Sequence, residues 1–127
     1  MTNYNLFLDD FREPEDAFGY TNNQLYLIGW VVVRNYNDFV KTIEERGVPD
    51  NISFDHDLAD EHYESRQEYG EYKEKTGYHC AKWFINYCID NKKELPTEIL
   101  IHSMNPAGSA NIKSLFDTYN KYFKNTF

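Results

Sequence analysis

Long apolar runs are missing from this sequence. The longest, Tyr26 to Val33, is broken by Gly29 and falls far short of the roughly 20 residues that span a bilayer. The opening MTNYNLFLDD lacks both the basic and the apolar region of a secretory signal, so a cytoplasmic protein with no membrane partner is expected. Cysteine is scarce: only Cys80 and Cys88 occur. If they share a helix, eight residues at about 1.5 Å each hold them roughly 12 Å apart, beyond disulfide reach, which suits core thiols in a reducing compartment. Bases are also few, 13 Lys and Arg against 21 Asp and Glu, for a formal net charge of −8. That balance argues against nonspecific binding to long nucleic acid or anionic membrane, which requires a basic surface. A small phosphorylated ligand stays open, because a divalent cation inverts the local charge of an acidic pocket.

What the chain does have is enough apolar residue for one core: 41% of its 127 residues are hydrophobic, the size and composition of a single domain. Aromatics supply 17%, with eleven Tyr, whose hydroxyls require partners when buried and so favour core edges or a site. YNLFL at 4–8 predicts a buried strand that ends abruptly in Asp9-Asp10. Residues 15–29 show no sustained period and predict a loop with a short irregular helix. WVVVR at 30–34 predicts a second strand, and Asn35 to Asp38 offers caps for a helix through Arg46 with Phe39, Val40 and Ile43 on one face. NISFD at 51–55 predicts a third strand, again ending in acids, Asp55-His56-Asp57. Residues 59–75 are charged and lack an apolar stripe, the pattern of a solvated insertion or lid. Thr76 caps a predicted helix to about Asn91, Glu98–Ile101 make a fourth strand, and a last helix is expected to begin near Gly108 or Ser109.

Strands alternating with helices predict an α/β fold: a mainly parallel sheet of four or five strands with helices on both faces. Ligands of such sheets bind beyond the carboxyl ends of the strands, where strand order reverses. Three predicted strand ends carry polar clusters there: Asp9-Asp10, Asp55-His56-Asp57 and His102-Ser103-Asn105.

Adjacent acids often only shape turns. Here, carboxylates on two neighbouring strand ends suit a hard cation, Mg²⁺ or Mn²⁺, with Asp9 and Asp10 joined by Asp55 or Asp57. If the strand continues, alternation puts Asp55 and Asp57 on one face and His56 on the other, which leaves the choice of ligand open. His62 and His79 read as structural, whereas His56 and His102 lie in polar clusters at the same edge and can supply a base and an acid near neutral pH. Ser103, Asn105, Gly108 and Ser109 lie between a strand end and a helix start, where backbone N–H groups cradle phosphate or side chains merely cap the helix. Arg12 either clamps a phosphate or pairs with Asp10 or Glu13.

The segments LFLDDFREP, WVVVRNYNDF, ISFDHDL, TGYHCAKWF and IHSMNPAGSANI, in this order, resemble the cyclic-phosphate processing receiver domain family. The resemblance covers most of the chain and is weakest at 59–75. It implies a three-layer receiver-like, flavodoxin-type domain acting on cyclic phosphates of nucleotides or RNA ends, in bacteria or phages. It further implies a divalent metal at Asp9, Asp10 and Asp55 or Asp57, with His56 and His102 as the acid/base pair. Ser103, Asn105 and Asn111 would then lie near the phosphate. A phosphoaccepting receiver also carries a Lys on a fifth strand, for which this chain has no predicted counterpart. Two other readings remain: a non-catalytic sponge for a cyclic nucleotide, and an adaptor for a protein partner.

Overall fold

Four short, mostly apolar runs pair into one sheet in the computed structural model, which describes residues 4–57 and 76–123, with side chains to 121. The strands are β1 (Asn5–Leu8), β2 (Val31–Val33), β3 (Asn51–Phe54) and β4 (Glu98–Ile101), all parallel, in the order β2-β1-β3-β4. Leu6 pairs with Val31 on one side and Ile52 on the other, and Ile52 with Ile99. The chain leaves β1 for β2 at one edge and returns past β1 to β3, so strand order reverses between β1 and β3. This is the flavodoxin-type order over four strands, and no fifth strand occurs among the described residues.

Alternation along the strands separates two faces. Leu6, Leu8, Ile52 and Phe54 point into the larger core, packed by α2 (Tyr36–Arg46), α3 (Gly77–Asp90) and α4 (Pro106–Phe123) through Phe39, Ile43, Phe84, Ile112 and Phe116. Phe7 points the other way, into a smaller core with Ala17 of α1 (Pro14–Thr21) and Tyr26 of a 3₁₀ turn (Gln24–Leu27). Helices thus cover both faces of a receiver-like sheet, as expected. Cys80 and Cys88 are free, buried thiols on α3. No helix among the described residues is long and apolar enough to cross a membrane.

Two boundaries differ from those read in the sequence. The segment expected as mostly loop forms α1 and the 3₁₀ turn. Only Pro14 and Ala17 of α1 are buried, too few to leave a periodic trace, and the helix is set instead by Pro at its start, Asp16 Oδ2 accepting from Glu13 N at 2.9 Å, and Asn22 in the left-handed region at φ 59°. The last helix begins at Pro106 rather than near Gly108 or Ser109, because Asn105 caps it: its Oδ1 accepts from Gly108 N at 2.9 Å. The proposed lid at 59–75 lies outside the described residues.

Candidate functional site

At the reversal point, β1 ends at Leu8 and delivers Asp9 and Asp10, while β3 ends at Phe54 and delivers Asp55. One carboxylate oxygen from each of these three residues lies within 4.8 Å of the others. Three oxygen donors on two rigid strand ends match the needs of a hard divalent cation. Asp57, expected as an alternative to Asp55, stands outside this triad. The strand stops before it, and its side chain, 67% exposed, accepts from Asn105 Nδ2 at 3.2 Å and contacts His56 Nδ1 at 2.9 Å.

The two buried carboxylates have opposite electrostatics. Burial by itself would raise the Asp9 carboxyl, but the hydrogen bond from His102 and the backbone N–H groups of Arg12 and Phe11, at 2.8 and 2.9 Å, outweigh it and hold Asp9 well below the usual range. Asp55 is pushed up, from the ordinary 3.8 to about 7, first by burial and then by the neighbouring Asp9 carboxylate, with Arg12 opposing. The Arg12 guanidinium lies 3.3 Å from Asp9 Oδ2 and 4.0 Å from Asp55 Oδ2. It therefore pairs with Asp9 and reaches Asp55, while Glu13 is taken by Arg34. Arg34, just past β2, secures the loop: its guanidinium donates to the carbonyls of Asp9 and Arg12 at 3.2 and 2.7 Å and pairs with Glu13.

His102 comes next to Asp9 but not to the pocket. It follows Ile101, which faces the larger core, so alternation turns the ring into the smaller one, where it stacks on Phe7 at 4.3 Å with 1% of the residue exposed. Nε2 lies 3.0 Å from Asp9 Oδ2 and Nδ1 2.7 Å from Ser53 Oγ, which in turn lies 2.7 Å from the Tyr26 hydroxyl. Burial favours the neutral imidazole, and the Asp9 hydrogen bond only partly opposes this. With Asp9 ionised and able only to accept, the protons have one consistent arrangement. Tyr26 donates to Ser53, Ser53 donates to Nδ1, and Nε2–H donates to Asp9. The Tyr20 hydroxyl donates to the His102 carbonyl.

Next to the triad is a pocket of about 390 Å³ lined by Asp10, Phe11, Arg12, Asp55, Asp57, Met104 and Asn105. Of the expected phosphate ligands, only Arg12 and Asn105 line it. Three of the others serve the start of α4: Ser103 Oγ accepts from Asn105 N, Ser109 Oγ donates to the Ser103 carbonyl, and Gly108 N is taken by Asn105. Gly108 also makes room, since a Cβ there would lie 2.3 Å from the His56 ring. His56 and Asn111 face a separate groove between α3 and α4, with Lys82 and Tyr119. His79 is structural as expected, its Nδ1 accepting from Thr76 N at 3.0 Å; His62 lies outside the described residues.

Ser53, Tyr26, Arg34, Phe11 and Met104 were not singled out in the sequence. Ser53 had one available signal: it is the lone hydroxyl of a buried central strand, on the Phe7 face. Comparison with curated proteins and with solved structures gives no match. The family model for the cyclic-phosphate processing receiver domain matches residues 4–118.

Proposed function

The chain belongs to the cyclic-phosphate processing receiver domain family, and from that premise we propose that it is a cytoplasmic, metal-dependent phosphoesterase that opens a cyclic phosphate of a nucleotide or RNA end. The observation that carries this reading is the meeting of Asp9, Asp10 and Asp55 within 4.8 Å at the switch point. The triad fits Mg²⁺ or Mn²⁺ by its donor chemistry, all carboxylate oxygen. Such a cation, when bound, supplies Lewis acidity and charge for a phosphoryl oxygen.

The chain's own groups do the rest. Asp9 stays ionised and oriented because two backbone N–H groups and His102 hold it. Arg12, at the pocket wall, provides guanidinium donors for phosphate oxygens. Asn105 braces Asp57 and the start of α4 together. Ring opening adds one water across a P–O bond: a P–O bond to the water oxygen forms, the bond to one sugar oxygen breaks, and that oxygen gains a proton. In this reading both imidazoles act through carboxylates, His102 through the buried triad member Asp9 and His56 through Asp57 on the pocket wall.

A second reading, a sponge that binds a cyclic nucleotide without chemistry, is favoured by one observation: neither His56 nor His102 lines the acidic pocket. One experiment separates the two. The protein is incubated with cyclic nucleotides and with RNA bearing a 2′,3′-cyclic phosphate, with Mg²⁺, Mn²⁺ or chelator, and products are read by mass. A gain of one water that chelator abolishes establishes the phosphoesterase. Tight binding with intact ligand recovered replaces it with the sponge, and neither turnover nor binding refutes both.

A further inference from the structure

Phe11 and Met104 are the two most exposed large hydrophobic residues described, 68% and 62%, and both line the acidic pocket. They reach it from the loops after β1 and β4, the two strands that flank β3, so they straddle the Asp55 strand end. One guanidinium bridges them: Arg12 Cζ lies 4.7 Å from the Phe11 ring centroid, and Nη2 lies 3.3 Å from Met104 Sδ. The Tyr20 ring, 5.8 Å from the same Cζ, stands beside them. The pocket thus joins a charged floor to a rim of aromatic, thioether and planar cation, and each of the three packs well against the flat face of a π-system.

We propose that Phe11 and Met104 form a stacking platform for the nucleobase of the ligand, with Arg12 between base and phosphate. This rests on the preceding reading, that the pocket takes a nucleotide-like cyclic phosphate, and adds which part of that ligand the rim recognises. A nucleobase is favoured over a protein partner because, among the described residues, the exposed apolar surface here is confined to the rim of a pocket of about 390 Å³, the size of a small-molecule site. The other exposed aliphatics, Leu27 and Ile28, lie before β2, at the opposite edge of the sheet, and do not extend it.

The test compares two probes in the presence of Mn²⁺: adenosine 2′,3′-cyclic phosphate and the base-free methyl riboside 2′,3′-cyclic phosphate. Binding is measured for the wild type, Phe11→Ala, Met104→Ala and Phe11→Trp, and Mn²⁺ titration of each variant reports whether the floor is intact. Phe11→Ala is expected to weaken the adenosine probe about tenfold, the scale of one aromatic-base stack, with less than about a twofold change for the base-free probe. Met104→Ala shows the same selectivity with a smaller loss, and Phe11→Trp restores binding. Equal losses for both probes, or no loss for either, overturn the platform and leave the rim as a protein-facing surface. A wild type that engages neither probe overturns the underlying reading, and the platform with it; engagement of both probes with no preference between them overturns the platform alone.

Discussion

Arg12 and a divalent cation have the same claim on the carboxylates. The guanidinium sits 3.3 Å from Asp9 Oδ2 and 4.0 Å from Asp55 Oδ2, two of the three residues that converge as metal donors. A cation that enters the triad must displace that charge or share its oxygens. Arg12→Ala is therefore expected to tighten Mn²⁺ binding about tenfold, ~1.4 kcal/mol, while weakening the cyclic-phosphate ligand. Calorimetric titration checks both, and unchanged or weaker Mn²⁺ binding would remove Arg12 from the electrostatics of the site. Ser53 presents a different case, because its hydroxyl is fully buried and joins Tyr26 to His102 Nδ1. Ser53→Ala leaves both neighbours without that partner at an expected cost of about 1–3 kcal/mol, whereas Ser53→Thr keeps a hydroxyl. Urea denaturation measures the cost. Ring ¹⁵N shifts of His102 report whether the Nε2–H tautomer that faces Asp9 is maintained.

At the scale of elements, the first turn of α3 is what fixes the end of β3. Gly77 N donates to the His56 carbonyl at 2.7 Å, and a Cβ on Gly77 would lie 1.7 Å from the Asp55 carbonyl oxygen. Backbone cannot yield as a side-chain tip can. Gly77→Ala is thus expected to destabilise the protein by about 1–3 kcal/mol and to weaken Mn²⁺ binding by displacing Asp55. Gly108→Ala meets the His56 ring first, at 2.3 Å, away from the triad, and should leave Mn²⁺ binding intact. Thermal melts and Mn²⁺ titrations on both variants check the contrast. The same elements show what sequence can carry. The four strands were legible as apolar runs cut off by acids or turns, and α2 and α3 by their helical period. Helix α1 was not, since its boundaries come from caps and two buried residues. The start of α4 was misplaced because Pro106 reads locally as a breaker, while its position one residue after the Asn105 cap makes it a first-turn residue. The meeting of Asp9 and Asp10 with an acid from the end of β3 was legible in the sequence. Choosing Asp55 over Asp57 required knowing that the strand ends at Phe54. The chain from Asp9 through His102 to Ser53 joins residues 93 and 49 positions apart, a pairing that only strand register specifies.

Across the whole molecule, folding and protons are linked through Asp55, and a cation held by the triad would join that linkage. The Asp55 carboxyl is raised from 3.8 to about 7, foremost by burial, so between these values the folded state holds a proton that the unfolded chain has released. Its contribution to the stability of the metal-free protein is therefore fully present below about pH 4, falls as pH rises toward 7 and levels off beyond it, while His102, kept neutral by burial, contributes in the opposite sense below its ordinary 6.5. Asp9 works in the opposite sense: lowered in the fold, it contributes stability above its ordinary range that is lost only on strong acidification, so it adds no slope near neutrality. A cation bound to the triad requires Asp55 ionised and must expel its proton below about pH 7. Apparent Mn²⁺ affinity should then rise about tenfold per pH unit up to 7 and change little from 7 to 8, with one proton released per ion at pH 6. Calorimetry at pH 6 in buffers of different ionisation enthalpy counts that proton, and melts in chelator from pH 5 to 8, taken as the difference between wild type and Asp55→Asn, should show the Asp55 decline. Asp55→Asn should flatten both profiles while binding Mn²⁺ more weakly. A wild-type affinity independent of pH from 5.5 to 8 would show that the ion does not draw on Asp55, and would leave Asp9 and Asp10 as the only strand-end donors.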